Sequence, residues 1–213
     1  MSESAHKHLL MVSKRTDTAL NLIIRKNGII HLQNSGAPNI FLFLARTLVG
    51  QQLSKGAADT IWRRMQAAAA GLELELCELC QESNMELIRK CGISSSKAKA
   101  LLLLRRSYLD SIITDEAVMK SSYEDISELV TSLWGFGQWS ADMVAIFYAK
   151  LPDVFPSKDV AVQRGLRILS RLHCEHSIYD RYSPYRSYLC RHVWAALDSG
   201  LLDKIENPKK AVE

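Results

Sequence analysis

Two glycines one residue apart constrain this chain more than any other feature. Gly135 and Gly137 flank Phe136 in the run Leu133-Trp-Gly-Phe-Gly-Gln-Trp-Ser-Ala141, and glycine lets a backbone adopt positive φ or admit another molecule closely. Upstream, Ser122 and Asp125 stand three apart before Ile126, Leu129 and Leu133, a capping pattern followed by an apolar stripe. Downstream, Met143, Val144, Ile146 and Phe147 are spaced like a second buried helix face. The segment reads as helix, two-glycine turn, helix, then a loop marked by Pro156 that ends at Asp159. Spacing alone is compatible with a structural αα-hairpin. It is equally compatible with a hairpin that turns backbone N–H groups and a positive helix end toward a phosphate.

The rest of the chain carries helical signals only. Asp17 is expected to cap the first helix, which turns Ala19, Leu20, Ile23 and Ile24 inward and stops at Asn27-Gly28. The run from 40 to 49 is apolar nearly all round, as in an enclosed helix, and Gly50 ends it. Ser54 caps a helix with Ala57, Ala58, Ile61, Trp62 and Met65 as its stripe, and Ser83 is expected to cap a short one ending at Cys91-Gly92. Ser94 to Ser96 open another, with Lys97 and Lys99 in its first turns. Hydroxyls beside lysines suit a phosphate contact, although solvated lysines are the commoner explanation. After Asp159, Val162, Leu166 and Leu169 form a core stripe, and Pro184 opens a last long helix through Trp194 to Leu197. No run alternates with period two. The expected fold class is all-α, about ten helices joined by short turns.

Composition narrows the function classes. With 47% hydrophobic and 23% charged residues the chain is an ordinary folded protein, and 213 residues suffice for one compact unit or two small lobes. The N-terminus lacks a secretory pattern, and the longest apolar run is shorter than a bilayer span and contains Arg46, so no membrane role is expected. A formal charge of +4 is weak support for an anionic partner. Five cysteines without framework spacing suit a reducing compartment. Cys77 and Cys80 with Cys91 lack a fourth ligand and a nearby histidine, so no metal cluster is expected there.

The run from Leu133 to Ala141, followed by Phe155-Pro-Ser-Lys-Asp-Val-Ala-Val-Gln-Arg-Gly165, resembles the signature of helix-hairpin-helix DNA glycosylases, and most closely their 3-methyladenine DNA glycosylase II (alkylation-repair) branch. Three more stretches are similar in order: Leu48-Val-Gly-Gln-Gln-Leu-Ser54 with Ala57-Ala58, Cys91-Gly-Ile-Ser94 with Lys97-Ala98, and Tyr185-Arg-Ser-Tyr188 with His192-Val-Trp194. The resemblance implies two helical lobes flanking a DNA-binding cleft, one spanning 40–151 and the other 1–39 plus 152–213, with no separate N-terminal β-rich domain. It implies an enzyme that binds damaged double-stranded DNA as a monomer, flips one nucleotide and hydrolyses its N-glycosidic bond. By location it would serve the bacterial nucleoid or the eukaryotic nucleus.

By the same resemblance Asp159 is the catalytic carboxylate. Without it, Asp159 would read first as a helix cap. Trp139 stands where strand-cutting relatives keep a Schiff-base lysine, which implies a monofunctional hydrolase; Lys158 is the nearest substitute amine. Trp139 and Trp194 are implied to line the base pocket, with Met143 where a relative has an aromatic. Gln52, with Leu53 beside it, is the implied wedge that fills the stack after flipping, unless Gln51 and Gln52 only hydrogen-bond across the cleft. Gly135, Gly137, Gln138, Ser140, Lys97 and Lys158 are the expected DNA-backbone contacts. Carbonyls of Thr131, Leu133 and Phe136 would hold a structural Na+ or K+. No other cofactor is implied, and with only Cys174 and Cys190 near the C-terminus the iron-sulfur variant is excluded. The competing readings are a non-catalytic binder of damaged or abasic DNA, against which Asp159 argues because a carboxylate repels phosphates, and a glycosylase for other damaged bases.

Overall fold

The structure is a computed structural model, described for residues 1–33, 36–170 and 176–202. In chain order the helices are α1 (Ser2–Thr16), α2 (Thr18–Asn27), α3 (Ile40–Gly50), α4 (Lys55–Gly71), α5 (Leu76–Leu79), α6 (Met85–Lys90), α7 (Ser95–Leu109), α8 (Asp115–Lys120), α9 (Tyr123–Ser132), α10 (Gln138–Met143), α11 (Val160–Ser170) and α12 (Arg186–Asp198). A π-helical segment, Val144–Tyr148, continues α10, and short 3₁₀ turns occupy Glu82–Asn84 and His176–Tyr182. Among the described residues there is no strand, as the absence of alternation predicts, and no helix is long and apolar enough to cross a membrane. The chain divides into two compact units, Met1–Gln33 with Lys150–Glu213, and Asn34–Ala149.

In the first unit the chain begins its helices earlier than expected. Asp17 does cap α2, its Oδ1 accepting from Leu20 N at 2.8 Å, but its own N–H closes α1 onto Ser13 O. The buried stripe of α1 is Ala5, Leu9 and Ser13, too small and polar to stand out in sequence. Ser13 is tolerated inside because its hydroxyl donates to Leu9 O at 2.6 Å and accepts from Asn21 Nδ2 at 2.8 Å. These helices pack Leu9, Leu20, Ile23 and Ile24 with Val162, Leu166, Leu189 and Val193. The α11–α12 approach needs Gly165, since a Cβ there would lie 2.3 Å from Val193 Cγ1.

Pro184 does not open α12; the helix starts at Arg186, and its cap comes from outside. Asp153 accepts from Arg186 N at 3.0 Å and from the guanidinium at 2.8 and 3.0 Å. Burial pushes the Asp153 carboxyl up, but the Arg186 bonds outweigh it and hold it below its ordinary value. Ser187, fully buried, receives Val154 N and donates to Leu151 O. The loop leading to Asp159 is thus fastened along α12.

In the second unit α3 is the enclosed helix expected, with Phe41, Leu44 and Leu48 buried. Its N-terminus is tied by Asn39 and by Asp115, which accepts Ile40 N and the Tyr148 hydroxyl at 2.6 Å each. Ala57 lies outside the α4 stripe, which runs through Ala58, Met65 and Ala69. Ser83 is not a cap: it sits inside the 3₁₀ turn that precedes α6. Among the described residues no cluster could hold a metal through His, Cys, Asp or Glu, and burial pushes the Cys80 thiol up to about 12. Cys190 is buried, and Cys174 lies outside the described residues.

Candidate active site

The hairpin is built by α9 and α10 of the second unit. Ser122 and Asp125 form the expected box, Asp125 N donating to Ser122 Oγ at 3.2 Å and Ser122 N to Asp125 Oδ2 at 3.1 Å. After Leu133 the chain turns, with Phe136 N donating to Leu133 O at 3.1 Å. The two glycines differ in why they are needed. Gly135 has φ +90° and its missing Cβ would lie 2.7 Å from the Ala100 Cβ of α7. Gly137 has φ −126°, extended backbone open to any residue, and faces open space.

Several side chains expected to reach outward are engaged inside the unit. Gln138 donates to the Tyr123 hydroxyl at 2.9 Å and to Asp142 Oδ1 at 3.2 Å, and accepts from Ser127 Oγ at 3.1 Å. Tyr123 in turn donates to Asp142 at 2.7 Å; burial first, and this carboxylate second, push its phenol pKa up. Ser140 is 1% exposed and its hydroxyl receives Gln51 Nε2 at 3.2 Å. Lys97 donates to Val49 O at 3.0 Å and Gln51 O at 2.8 Å, closing the C-terminus of α3, and burial pushes its pKa down. The side chains of Gln138, Ser140 and Lys97, residues expected at the DNA backbone, thus satisfy groups of the protein itself. Lys99, beside Lys97, instead lies 4.8 Å over the ring of half-exposed Trp134 at the hairpin.

The turn after α3 presents Gln52 in the left-handed region, φ +57°, with its side chain exposed. Gln51 bonds the hairpin, reaching Gly135 O at 3.3 Å as well as Ser140, so the two glutamines do different things. Leu53 is exposed to solvent and lines a cavity of about 410 Å³ with Phe43, Arg46, Trp139, Met143 and Phe147. Trp139, Met143 and Leu53 are thereby brought together. The other wall residues could have been found in sequence only by knowing that α3 and the π-helical segment meet.

Asp159 and Trp194 come together in the first unit. Asp159 is 7% exposed and caps α11: Oδ1 accepts Val162 N at 2.7 Å and the Trp194 indole N–H at 3.1 Å. Its backbone is fixed as well, N–H to Pro156 O at 2.9 Å and C=O to Gln163 N at 3.0 Å. The cap expected from the sequence is present, and the same oxygen is also held by an indole. Trp194 thus serves the acid directly, a contact that spacing did not foretell. Lys158 beside it is exposed.

A helical chain with a two-glycine hairpin in one unit, and a buried aspartate held by an indole at a helix start in the other, belongs to the class of helix-hairpin-helix DNA glycosylases. No family model matches the chain. The DNA-3-methyladenine glycosylase of Saccharomyces cerevisiae is 30% identical over 84% of this chain and 75% of its own length. The DNA-3-methyladenine glycosylase 1 of Schizosaccharomyces pombe is 27% identical over 78% and 76%. A solved structure of the S. pombe 3-methyladenine DNA glycosylase in complex with abasic DNA matches the fold with a TM-score of 0.81, covering 92% of this chain and 97% of that one at 23% identity. The chain belongs to the DNA-3-methyladenine glycosylase family.

Proposed function

We propose that this protein is a monofunctional base-excision enzyme that hydrolyses the N-glycosidic bond of alkylated purines, 3-methyladenine and 7-methylguanine among them, and leaves an abasic site. The observation that carries the reading is the Asp159 carboxylate, fixed by Val162 N–H and the Trp194 indole in a nearly buried position. As the base departs, the sugar gains oxocarbenium character; a prepositioned carboxylate stabilises that charge and orients the attacking water. The oxygen of water bonds to C1′ as the bond to the base nitrogen breaks, with the electron pair leaving on the base.

The cavity that holds Trp139 and Met143 is read as the base pocket, its aromatic walls suited to a flipped, electron-poor purine. The hairpin is read as the backbone grip, acting through N–H groups at the start of α10, where Gly137 leaves room for a phosphate oxygen. Gln52 and Leu53, exposed on a tight turn, are the wedge. Carbonyls of Thr131, Leu133 and Phe136 would hold Na+ or K+; Leu133 O spends one lone pair on Phe136 N, which leaves one for a cation. The enzyme acts as a monomer on double-stranded DNA, in the compartment that holds the chromosome, and needs no other cofactor.

The test is release of free base from methylated DNA. Release by the wild type that disappears in Asp159→Asn is expected, with abasic-DNA binding retained; release by neither, with binding by both, would leave a non-catalytic binder. Borohydride trapping of a covalent adduct lost in Lys158→Ala would replace the hydrolase by a lyase.

A further inference from the structure

The hairpin presents one exposed side-chain pair that neither the turn nor the pocket uses. Gly135 packs so closely on α7 that a Cβ there would lie 2.7 Å from Ala100 Cβ. That contact brings together the residue before each of them: the Lys99 ammonium stands 4.8 Å from the centroid of the Trp134 ring. Trp134 is 44% exposed, more than any of the other three tryptophans. Among the described residues no acceptor takes its indole N–H, and no carboxylate lies within ion-pair distance of Lys99. Lys97, two positions earlier on the same helix, faces another side and is spent on Val49 O and Gln51 O. Lys99 is therefore the lysine of this helix whose charge is left to solvent at the hairpin, beside exposed Gly135 and Gly137.

We propose that Lys99 and Trp134 form a second contact to the DNA backbone on the flank of the hairpin, in which the ammonium and the indole N–H meet one phosphodiester and the exposed ring lies against the neighbouring deoxyribose. The pair acts this way only if the hairpin is the backbone grip, on which the proposal rests. A DNA strand alternates an anionic phosphate with a largely apolar sugar, and this surface offers two donors, one of them charged, next to an apolar ring. The ring also holds Lys99 at the hairpin by cation–π attraction, so a long side chain gives up less freedom on binding. Trp134 is thus both a contact and the positioning residue for Lys99. The contact reads no base, and it strengthens binding to damaged and undamaged duplex alike through counterion release.

The experiment measures affinity across a range of salt for a duplex carrying one tetrahydrofuran abasic-site analogue and for the same duplex undamaged. Lys99→Met is expected to weaken both complexes about three- to tenfold at moderate salt and to lower the slope of log affinity against log salt by about one, with the urea midpoint unchanged. Lys99→Arg keeps the charge and should keep the slope. Trp134→Ala should weaken both complexes about threefold while keeping most of the slope, because Lys99 remains. Undamaged duplex should quench indole emission in the wild type and quench it less in Trp134→Phe. An unchanged slope in Lys99→Met overturns the proposal, and with a lowered urea midpoint it reduces the pair to a tether between α7 and the hairpin; equal quenching in Trp134→Phe overturns it as well. Gly137→Ala separates the two levels. If Gly137→Ala and Lys99→Met both bind as the wild type does, the hairpin itself is not the grip; if only Gly137→Ala binds more weakly, the grip stands and the contact through Lys99 and Trp134 falls.

Discussion

The hairpin and the acid are held by opposite strategies. In and beside the hairpin, polar side chains turn inward: Gln138 to Tyr123 and Asp142, Ser140 to accept from Gln51, and, on the adjoining α7, Lys97 to the carbonyls closing α3. Trp134 apart, the turn itself faces outward as backbone, at Gly135 and Gly137. At Asp159 the backbone is spent within the protein, and the side chain itself is the device. The grip proposed for the hairpin, which must accept any sequence, is best made of main-chain N–H groups, which carry no base information. The catalytic role proposed for Asp159 needs one functional group in one orientation, and two donors on one oxygen supply that.

The sharpest break between the regions is Asp159→Asn. Asparagine caps helices as well as aspartate does, so the unfolding free energy should change by less than about 1 kcal/mol. Turnover should fall about a hundredfold or more, with binding to abasic DNA unchanged or tighter. A loss of activity matched by loss of fold would return Asp159 to being only a cap.

The hairpin should answer through backbone geometry. Gly135→Ala meets both a left-handed φ and Ala100 Cβ, and is expected to cost about 2 to 3 kcal/mol of stability. Gly137→Ala has neither obstacle and should change the denaturation midpoint little, yet weaken DNA binding because the methyl group occupies the approach to the N–H groups. Equal stability losses in the two variants would mean that the hairpin is only a structural turn.

On α12, the helix that carries Trp194, His192 supplies a pH test. It is 1% exposed, and burial, with help from His6 and Arg191, pushes its pKa down to about 4. Because the folded pKa lies below that of the unfolded chain, the unfolded state takes the extra proton as pH falls through 6.5. Stability is thus full at neutral pH and lost toward pH 4. Between pH 7 and 5 the loss should be about 2 kcal/mol, read from urea midpoints. A histidine variant without that slope, His192→Gln, should lie flat over the same interval.

The two regions also differ in how legible they were. Gly135, Gly137 and Pro156 marked the turn and the loop by residue type, whereas Asp159 read first as a helix cap and was singled out only through the family resemblance. The α1 stripe of Ala5, Leu9 and Ser13 carried too little apolar contrast. The inward bonds of Ser140 and Lys97 could not be read from sequence, because their partners, Gln51 and Val49, lie 89 and 48 residues away. Arg46 was legible only as a charge in an apolar run; that it faces a cavity depends on α3, α4, α10 and the π-helical segment meeting. Local chemistry survives in sequence, whereas the satisfaction of a polar group by a distant one does not.

The smallest expected effect compares two lysines. Lys97 spends two N–H donors on buried carbonyls, whereas Lys158 stands exposed beside Asp159. If exposed cations near the acid meet phosphates, Lys158→Gln should weaken binding to undamaged DNA a few-fold and lower the slope of log affinity against log salt by about one. Lys97→Met should leave that slope in place and lower stability instead, since Val49 O and Gln51 O lose their donor. The opposite pattern, with the slope falling for Lys97 and stability for Lys158, would restore Lys97 as a phosphate contact and undo the division between a grip made of backbone and a site made of side chains.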